Sequence, residues 1–287
     1  MALTMYQAHF GLREPPFGIT PDTGFFFACR GHQEALNTLL VAARSGEGFI
    51  KITGEVGTGK TLLCRKFLAS LAGEVTTAYL PNPFLEPRTL MLAVADELEA
   101  GLDQDVDQHR LLKGITQRLL ELAGAGRQVV LCLDEAQAMP LDTLEALRLL
   151  TNLETEKRKL LQIVLFGQPE LDRKLQQESI RQLTQRITFH YRLASLGRDD
   201  LDYYLAHRLN VAGYPGGRLF SRGAVGLLHA ASGGIPRLVN ILAHKALLLA
   251  YGEGSRQARR RHVRAAALDT AGARKGLRLW LPRPEGR

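Results

Sequence analysis

The stretch TGEVGTGKTLLCR, Thr53 to Arg65, follows the apolar run Phe49–Ile52 and opens a segment with helical apolar spacing. Gly54, Gly59, Lys60 and Thr61 satisfy G-x-x-x-x-G-K-[ST] in the strand-then-helix setting that this spacing needs. Glycines let the chain turn so tightly that successive backbone N–H groups point inward at a phosphate. The start of the following helix adds its dipole, a lysine reaches the β- and γ-oxygens, and a threonine hydroxyl holds Mg²⁺. The continuous segment Gly54, Glu55, Val56, Gly57, Thr58, Gly59, Lys60, Thr61 and Leu62 is therefore the expected nucleotide cradle, with ATP and Mg²⁺ as its ligands and Thr61 as one metal ligand.

Working outward, short runs rich in Val, Ile, Leu and aromatics predict strands over Phe49–Thr53, Thr76–Leu80, Val129–Leu133, Gln162–Phe166 and Ile187–Tyr191. Segments of helical periodicity lie between them, over Thr89–Leu98, Leu111–Leu122, Leu141–Leu153 and Leu171–Leu175. Alternation of this kind predicts an α/β fold with a parallel five-stranded sheet covered on both faces. After Leu193 the strands stop, and Leu201–Val211, Ala224–Ala231, Pro236–Tyr251 and Arg260–Thr270 read as a small all-helical lid. The expected organisation is an N-terminal segment and αβα nucleotide-binding domain over 1–192, the helical domain over 193–270, and a basic flexible tail over 271–287.

The run VVLCLDEAQ places Asp134 and Glu135 at the C-terminal end of an apolar strand, where parallel sheets hold their ligands. Asp134 is the expected second Mg²⁺ ligand, and Glu135 the group that orients and polarises the water attacking the γ-phosphate. In QIVLFGQPEL, Gln168 ends the neighbouring strand, where its amide would touch the γ-phosphate or the water. The same residue could instead cap the helix that starts at Pro169. Arg181 and Arg186 precede the last strand, where a guanidinium would face a neighbouring subunit and stabilise transition-state charge in trans. Arg237, in SGGIPRLVNIL, opens a helix of the second domain and would report the γ-phosphate from there. Either Arg181 or Arg186 could be the finger, and surface arginines are plentiful in this chain.

Taken together, GEVGTGKT, LDEAQ, FGQPEL, the QRI before the last strand, GGIPRL and the N-terminal HFGLREPPFGITPD resemble the AAA+ ATPases of the ExeA type over residues 5–270. YLPNP, EALRLLTNLETE, LFGQPEL and IPRLVNILAHKALLLAYGEG are most similar to the MshM branch, which accompanies the mannose-sensitive haemagglutinin type IV pilus machinery. The resemblance implies an ATP hydrolase acting in a ring or helical homo-oligomer. Its partners would be pilus biogenesis or type II secretion proteins at the inner membrane, and its place cytoplasmic or peripheral to that membrane. It assigns Lys60 and Thr61 to phosphate and magnesium, Glu135 to the water, Gln168 and Arg237 to sensing and Arg186 to the finger. It sets the segment around Phe17 and His32 against the adenine, although Phe17 and Phe25–Phe27 would serve equally as core. ExeA continues into a transmembrane helix and a peptidoglycan-binding domain that this sequence does not contain, so any envelope role is expected to run through partners.

Other classes remain open: a DNA-assembling regulator of transposition type, a slow nucleotide-switch adaptor, and a metabolic P-loop kinase. Cys29, Cys64 and Cys132 match no zinc or disulfide framework and fit a reducing compartment. The N-terminus does not read as a signal peptide, and no apolar run is long enough to span a membrane. The formal net charge of +8 lies wholly beyond Gly254, where ten Lys or Arg face two acids. With Leu277, Leu279, Trp280 and Leu281 among those charges, weak contact with anionic lipid is the expected use. Nucleic acid is the alternative, and a solvated end the bland reading. Lipid binding requires both the arginines and Trp280, each basic residue giving about 1 kcal/mol near the surface. DNA binding by charge survives Trp280→Ala and falls steeply with salt. Co-sedimentation with anionic liposomes beside a DNA mobility shift, with ATP at low and physiological salt, is expected to show Trp280-dependent lipid association. ATP-dependent DNA binding that persists at physiological salt would reverse that assignment.

Overall fold

The computed structural model describes residues 2–46, 48–155 and 159–276. Trp280 and its neighbours in 277–287, and residues 156–158 of the charged stretch NLETEKRK, lie outside them. The chain separates into two compact units. One comprises Arg30–Glu55 and Lys60–Leu193; the other comprises the residues up to Cys29, Val56–Gly59 and those from Ala194 onward. The sequence places 1–192 together, but Tyr6, Phe10, Leu12, Phe17 and Phe25 bury into the core of the C-terminal helices, and the N-terminal segment groups with them.

In chain order the helices are α1 (Ala2–Phe10), α2 (Arg30–Ser45), α3 (Lys60–Leu71), α4 (Pro87–Glu97), α5 (Gln108–Gly124), α6 (Leu141–Thr151), α7 (Pro169–Leu175), α8 (Arg181–Thr184), α9 (Arg198–Val211), α10 (Arg222–Ser232), α11 (Pro236–Gly252) and α12 (Arg260–Leu268). The strands are β1 (Phe49–Gly54), β2 (Val75–Leu80), β3 (Gln128–Leu133), β4 (Gln162–Gly167) and β5 (Phe189–Leu193). All five strands form one parallel sheet in the order β2-β3-β4-β1-β5, as the alternation predicts. The central strands read as unbroken apolar runs because both faces are covered: every residue of β4 is buried, as is all of β3 beyond Gln128. The edge strand β2 carries half-exposed Thr76 and Thr77.

Local chemistry sets the helix ends. Asp107 Oδ1 accepts the Arg110 N–H at 2.9 Å to start α5, Ser221 Oγ accepts the Ala224 N–H at 3.2 Å to start α10, and prolines open α4, α7 and α11. The fifth strand starts two residues later than the sequence suggests. The Ile187 N–H donates back to Thr184 O in the turn leaving α8, and pairing with β1 begins as the Thr188 N–H meets Phe49 O at 2.9 Å. Cys64 and Cys132 are fully buried core side chains, as expected. Among the described residues no helix is long and apolar enough to cross a membrane.

In the helical unit, α9–α12 pack around Leu205, Leu228, Leu242, Leu247 and Val263. Phe17 lies edge-on to Phe220 at 5.7 Å between ring centroids and is only 3% exposed, so its ring is core. Buried Arg208 fixes the N-terminal segment. Its Nε donates to Pro16 O, its NH1 to Tyr204 Oη at 3.2 Å, and its guanidinium lies 4.6 Å from the Phe25 ring centroid. Gly234 joins the exit of β5 to the start of α11: its carbonyl accepts the Leu196 N–H at 2.9 Å while its φ is +75°. A Cβ there would stand 2.2 Å from Leu196 O. Gly234→Ala is expected to cost about 2 kcal/mol or more, since a Cβ both disfavours the left-handed conformation that this position holds and collides with Leu196 O. Urea unfolding checks it, and an unchanged midpoint would contradict it.

Candidate nucleotide site

The phosphate-loop segment runs from the last residue of β1, Gly54, to the first of α3, Lys60. Gly57 and Gly59 take φ of +81° and +97°, which the turn demands and side-chain-bearing residues resist. Val56–Gly59 belongs to the helical unit. There the Arg237 N–H donates to Gly57 O at 3.1 Å, and a Cβ on Gly57 would fall 2.6 Å from Arg237 Cβ. Exposed Arg237 is thus held by its backbone beside the loop tip, at the second residue of α11.

In the sheet unit, Lys60 is 5% exposed and its ammonium donates to Gly54 O at 2.8 Å and Glu55 O at 3.1 Å. Burial pulls its pKa down, while Glu135, Asp134 and Glu55 pull it up. Asp134 follows β3 directly and is 2% exposed. Burial pushes its carboxyl up from the ordinary 3.8, against the hydrogen bonds from the Thr61 side chain and the Glu135 N–H that favour the charged form. Thr61 and Leu62 are half-buried on the first turn of α3.

Glu135 sits at φ 53°, ψ 34°, a left-handed conformation that costs a non-glycine residue about 1–3 kcal/mol. The turn sends the chain into the short helix Ala136–Ala138 and brings Gln137 back alongside. Gln137 Nε2 donates to Glu135 Oε2 at 2.5 Å, and Gln168 Nε2 donates to the same oxygen at 3.1 Å. The Gln168 N–H donates to Gln137 Oε1 at 2.9 Å. Gln168 occupies the N-cap position of α7 but makes no side-chain cap bond, so its amide serves Glu135 and not the helix. Gln137 stands in the quoted DEAQ without a role; its signal was adjacency to Glu135, which periodicity does not convert into contact.

The structure thus brings Gly54, Glu55, Lys60, Thr61, Asp134, Glu135 and Gln168 to one edge of the sheet. Arg186 is not among them: half-buried before β5, it donates from NH1 to Thr151 Oγ1 of α6 at 2.9 Å. Arg181 is exposed at the start of α8. A triphosphate and Mg²⁺ fit the donor set. A buried ammonium satisfied only by carbonyl oxygens is suited to an anion, and the hydroxyl and carboxylate oxygens of Thr61 and Asp134 are hard ligands of the kind magnesium takes.

Comparison with known proteins agrees with this geometry. Residues 43–175 match the AAA domain family. Solved structures of similar fold include the ORC2 protein of Aeropyrum pernix in ADPNP-ADP complexes, at 17% identity and a TM-score of 0.64, covering 90% of this chain and 74% of that one. Cdc6p from Pyrobaculum aerophilum is similar at 18% identity and a TM-score of 0.67, covering 88% of this chain and 71% of that one. The fold is therefore the α/β P-loop fold of AAA proteins, followed by a helical part. The chain is also 44% identical over 272 residues to General secretion pathway protein A of Aeromonas hydrophila. That match covers 94% of this chain and 49% of the relative, so the chain spans about half the length of the protein it resembles.

Because burial holds the Asp134 carboxyl above 3.8, the folded chain keeps its proton to higher pH than the unfolded chain does. The nucleotide-free fold accordingly loses stability as pH rises through that window and bears the whole cost at neutral pH. Asp134→Asn is expected to raise the thermal midpoint of the nucleotide-free protein at neutral pH, on a scale of about 2–4 °C per kcal/mol. The gap should close as the pH falls toward 3.8. A lower midpoint for the variant at neutral pH would contradict this electrostatic reading.

Proposed function

We propose that this chain is an Mg²⁺-dependent ATP hydrolase that works in a homo-oligomer on bacterial envelope machinery. The reading rests above all on one observation: Lys60, Asp134 and Glu135 converge at the ends of β1 and β3, and Gln168 holds Glu135 from the end of β4. Lys60 binds the β- and γ-phosphates, and the backbone N–H groups of Gly54–Leu62 cradle them. Thr61 and Asp134 hold Mg²⁺, which when bound neutralises phosphate charge. Glu135 orients the attacking water and takes up its proton; Gln168 fixes the Glu135 carboxylate. Arg186 acts on the neighbouring subunit's γ-phosphate after leaving Thr151, at a cost of about one neutral hydrogen bond, or roughly 1 kcal/mol. Arg237, tied to the loop tip through its N–H, carries the nucleotide state into the helical unit.

The similarity to General secretion pathway protein A supports secretion machinery as the partner, and the sequence stretches shared with the MshM branch favour a type IV pilus apparatus. The proposed place of action is the cytoplasmic side of the inner membrane, through partner proteins.

Lys60→Ala is expected to weaken ATP binding by about 2–5 kcal/mol, because the phosphates then lose a desolvated charged partner. Glu135→Gln should bind ATP as the wild type does and lose about 10²–10⁴-fold in turnover. Nucleotide binding by fluorescence beside phosphate release separates the two, and normal turnover in Glu135→Gln would remove Glu135 from the mechanism. Arg186→Ala should bind ATP normally, hydrolyse on the order of 10³-fold more slowly, and regain activity when mixed with Lys60→Ala. Inactive mixtures that co-assemble by light scattering would place the arginine's action elsewhere.

A further inference from the structure

We infer that Gln137 is a positioning residue for hydrolysis, which locks the Glu135 carboxylate to the end of β4; the inference rests on Glu135 being the general base. The geometry has three parts. Gln137 Nε2 donates to Glu135 Oε2 at 2.5 Å, Gln137 Oε1 accepts the backbone N–H of Gln168 at 2.9 Å, and Gln168 Nε2 completes the ring by donating to the same Glu135 oxygen at 3.1 Å. Chemistry fixes the orientation of both amides, since an ionised carboxylate only accepts and a backbone N–H only donates.

Gln137 therefore uses both ends of one amide at once, one on the base and one on the neighbouring strand's exit. Gln168 reaches Glu135 with its own side chain, whereas Gln137 ties Glu135 to the backbone N–H of the residue that follows β4. Both side-chain bonds converge on Oε2. Glu135 itself stands on a left-handed residue, and its direction depends on what its carboxylate is fastened to. A residue with this geometry changes the orientation of the base more than the affinity of the site, because its bonds go to Glu135 and to the Gln168 backbone and none goes to Lys60 or the loop before it.

The test uses the full chain. Gln137→Ala is expected to lower kcat about 10- to 100-fold, the scale of a misplaced catalytic group, with the Kd for ATP unchanged. Gln137→Glu keeps the acceptor for the Gln168 N–H but sets a carboxylate against Glu135; it should lose as much turnover or more, although its shape is nearly the same. In the Glu135→Gln background, Gln137→Ala should change residual single-turnover hydrolysis by less than about twofold, since a residue acting through Glu135 has nothing left to position. Full kcat in Gln137→Ala overturns the inference. So does a fall in ATP affinity or melting temperature with kcat retained, which would make Gln137 structural, and so does full kcat in Gln137→Glu should the alanine variant fail to fold. Normal turnover in Glu135→Gln alone would instead defeat the assignment of the base.

Discussion

Parallel pairing of β1, β4 and β3 is the constraint on which the rest depends. Thr53 pairs with Gly167 and Leu133 with Leu165, so the chain leaves β1 at Gly54, β4 at Gln168 and β3 at Asp134 along one edge of the sheet. A slip of one residue in either pairing would turn alternate side chains to the opposite face and scatter these groups. Ile163, Val164, Leu165 and Phe166 are all fully enclosed in this pairing, as are Val130–Leu133. The packing that forms the sheet is the same packing that aligns the site.

At that edge the fold bears an electrostatic cost. Burial disfavours the charge of Lys60 and of Asp134 alike, with opposite effects on their pKa values, and their mutual attraction offsets only part of it. A ligand that brings both phosphate and a divalent cation relieves both penalties at once, so binding it stabilises the fold by mass action as well as by contact.

The loop between β1 and α3 was legible because few residue types allow its turns: Gly57 and Gly59 have positive φ. Four strands were legible as apolar runs, and β5 was displaced because the turn after α8 consumes Ile187, whose N–H bonds back to Thr184 O. The helix α2 was not read at all. Its buried face relies on Ala35, Ala42 and Ala43 beside Leu36 and Leu39, and alanines give little contrast to a periodicity. The N-terminal aromatics invited a ligand-facing reading for Phe17, whereas Arg208 reaches across 192 positions to Pro16 and fastens the segment as core. No local pattern announces a partner so distant.

Gln137 was missed for the opposite reason, since its partner lies only two residues away. Side chains at i and i+2 do not face each other on a regular helix, and on a strand they share a face but stand about 6.5 Å apart along it. Contact between Glu135 and Gln137 exists because Glu135 adopts the left-handed conformation, which folds the chain back on itself. That conformation is unfavourable alone, and two amide-to-carboxylate bonds on Oε2 plus the Gln168 N–H bond to Gln137 are what offset it. The backbone strain and the hydrogen-bonded ring are therefore one feature: without the ring the turn would relax, and without the turn the ring could not close.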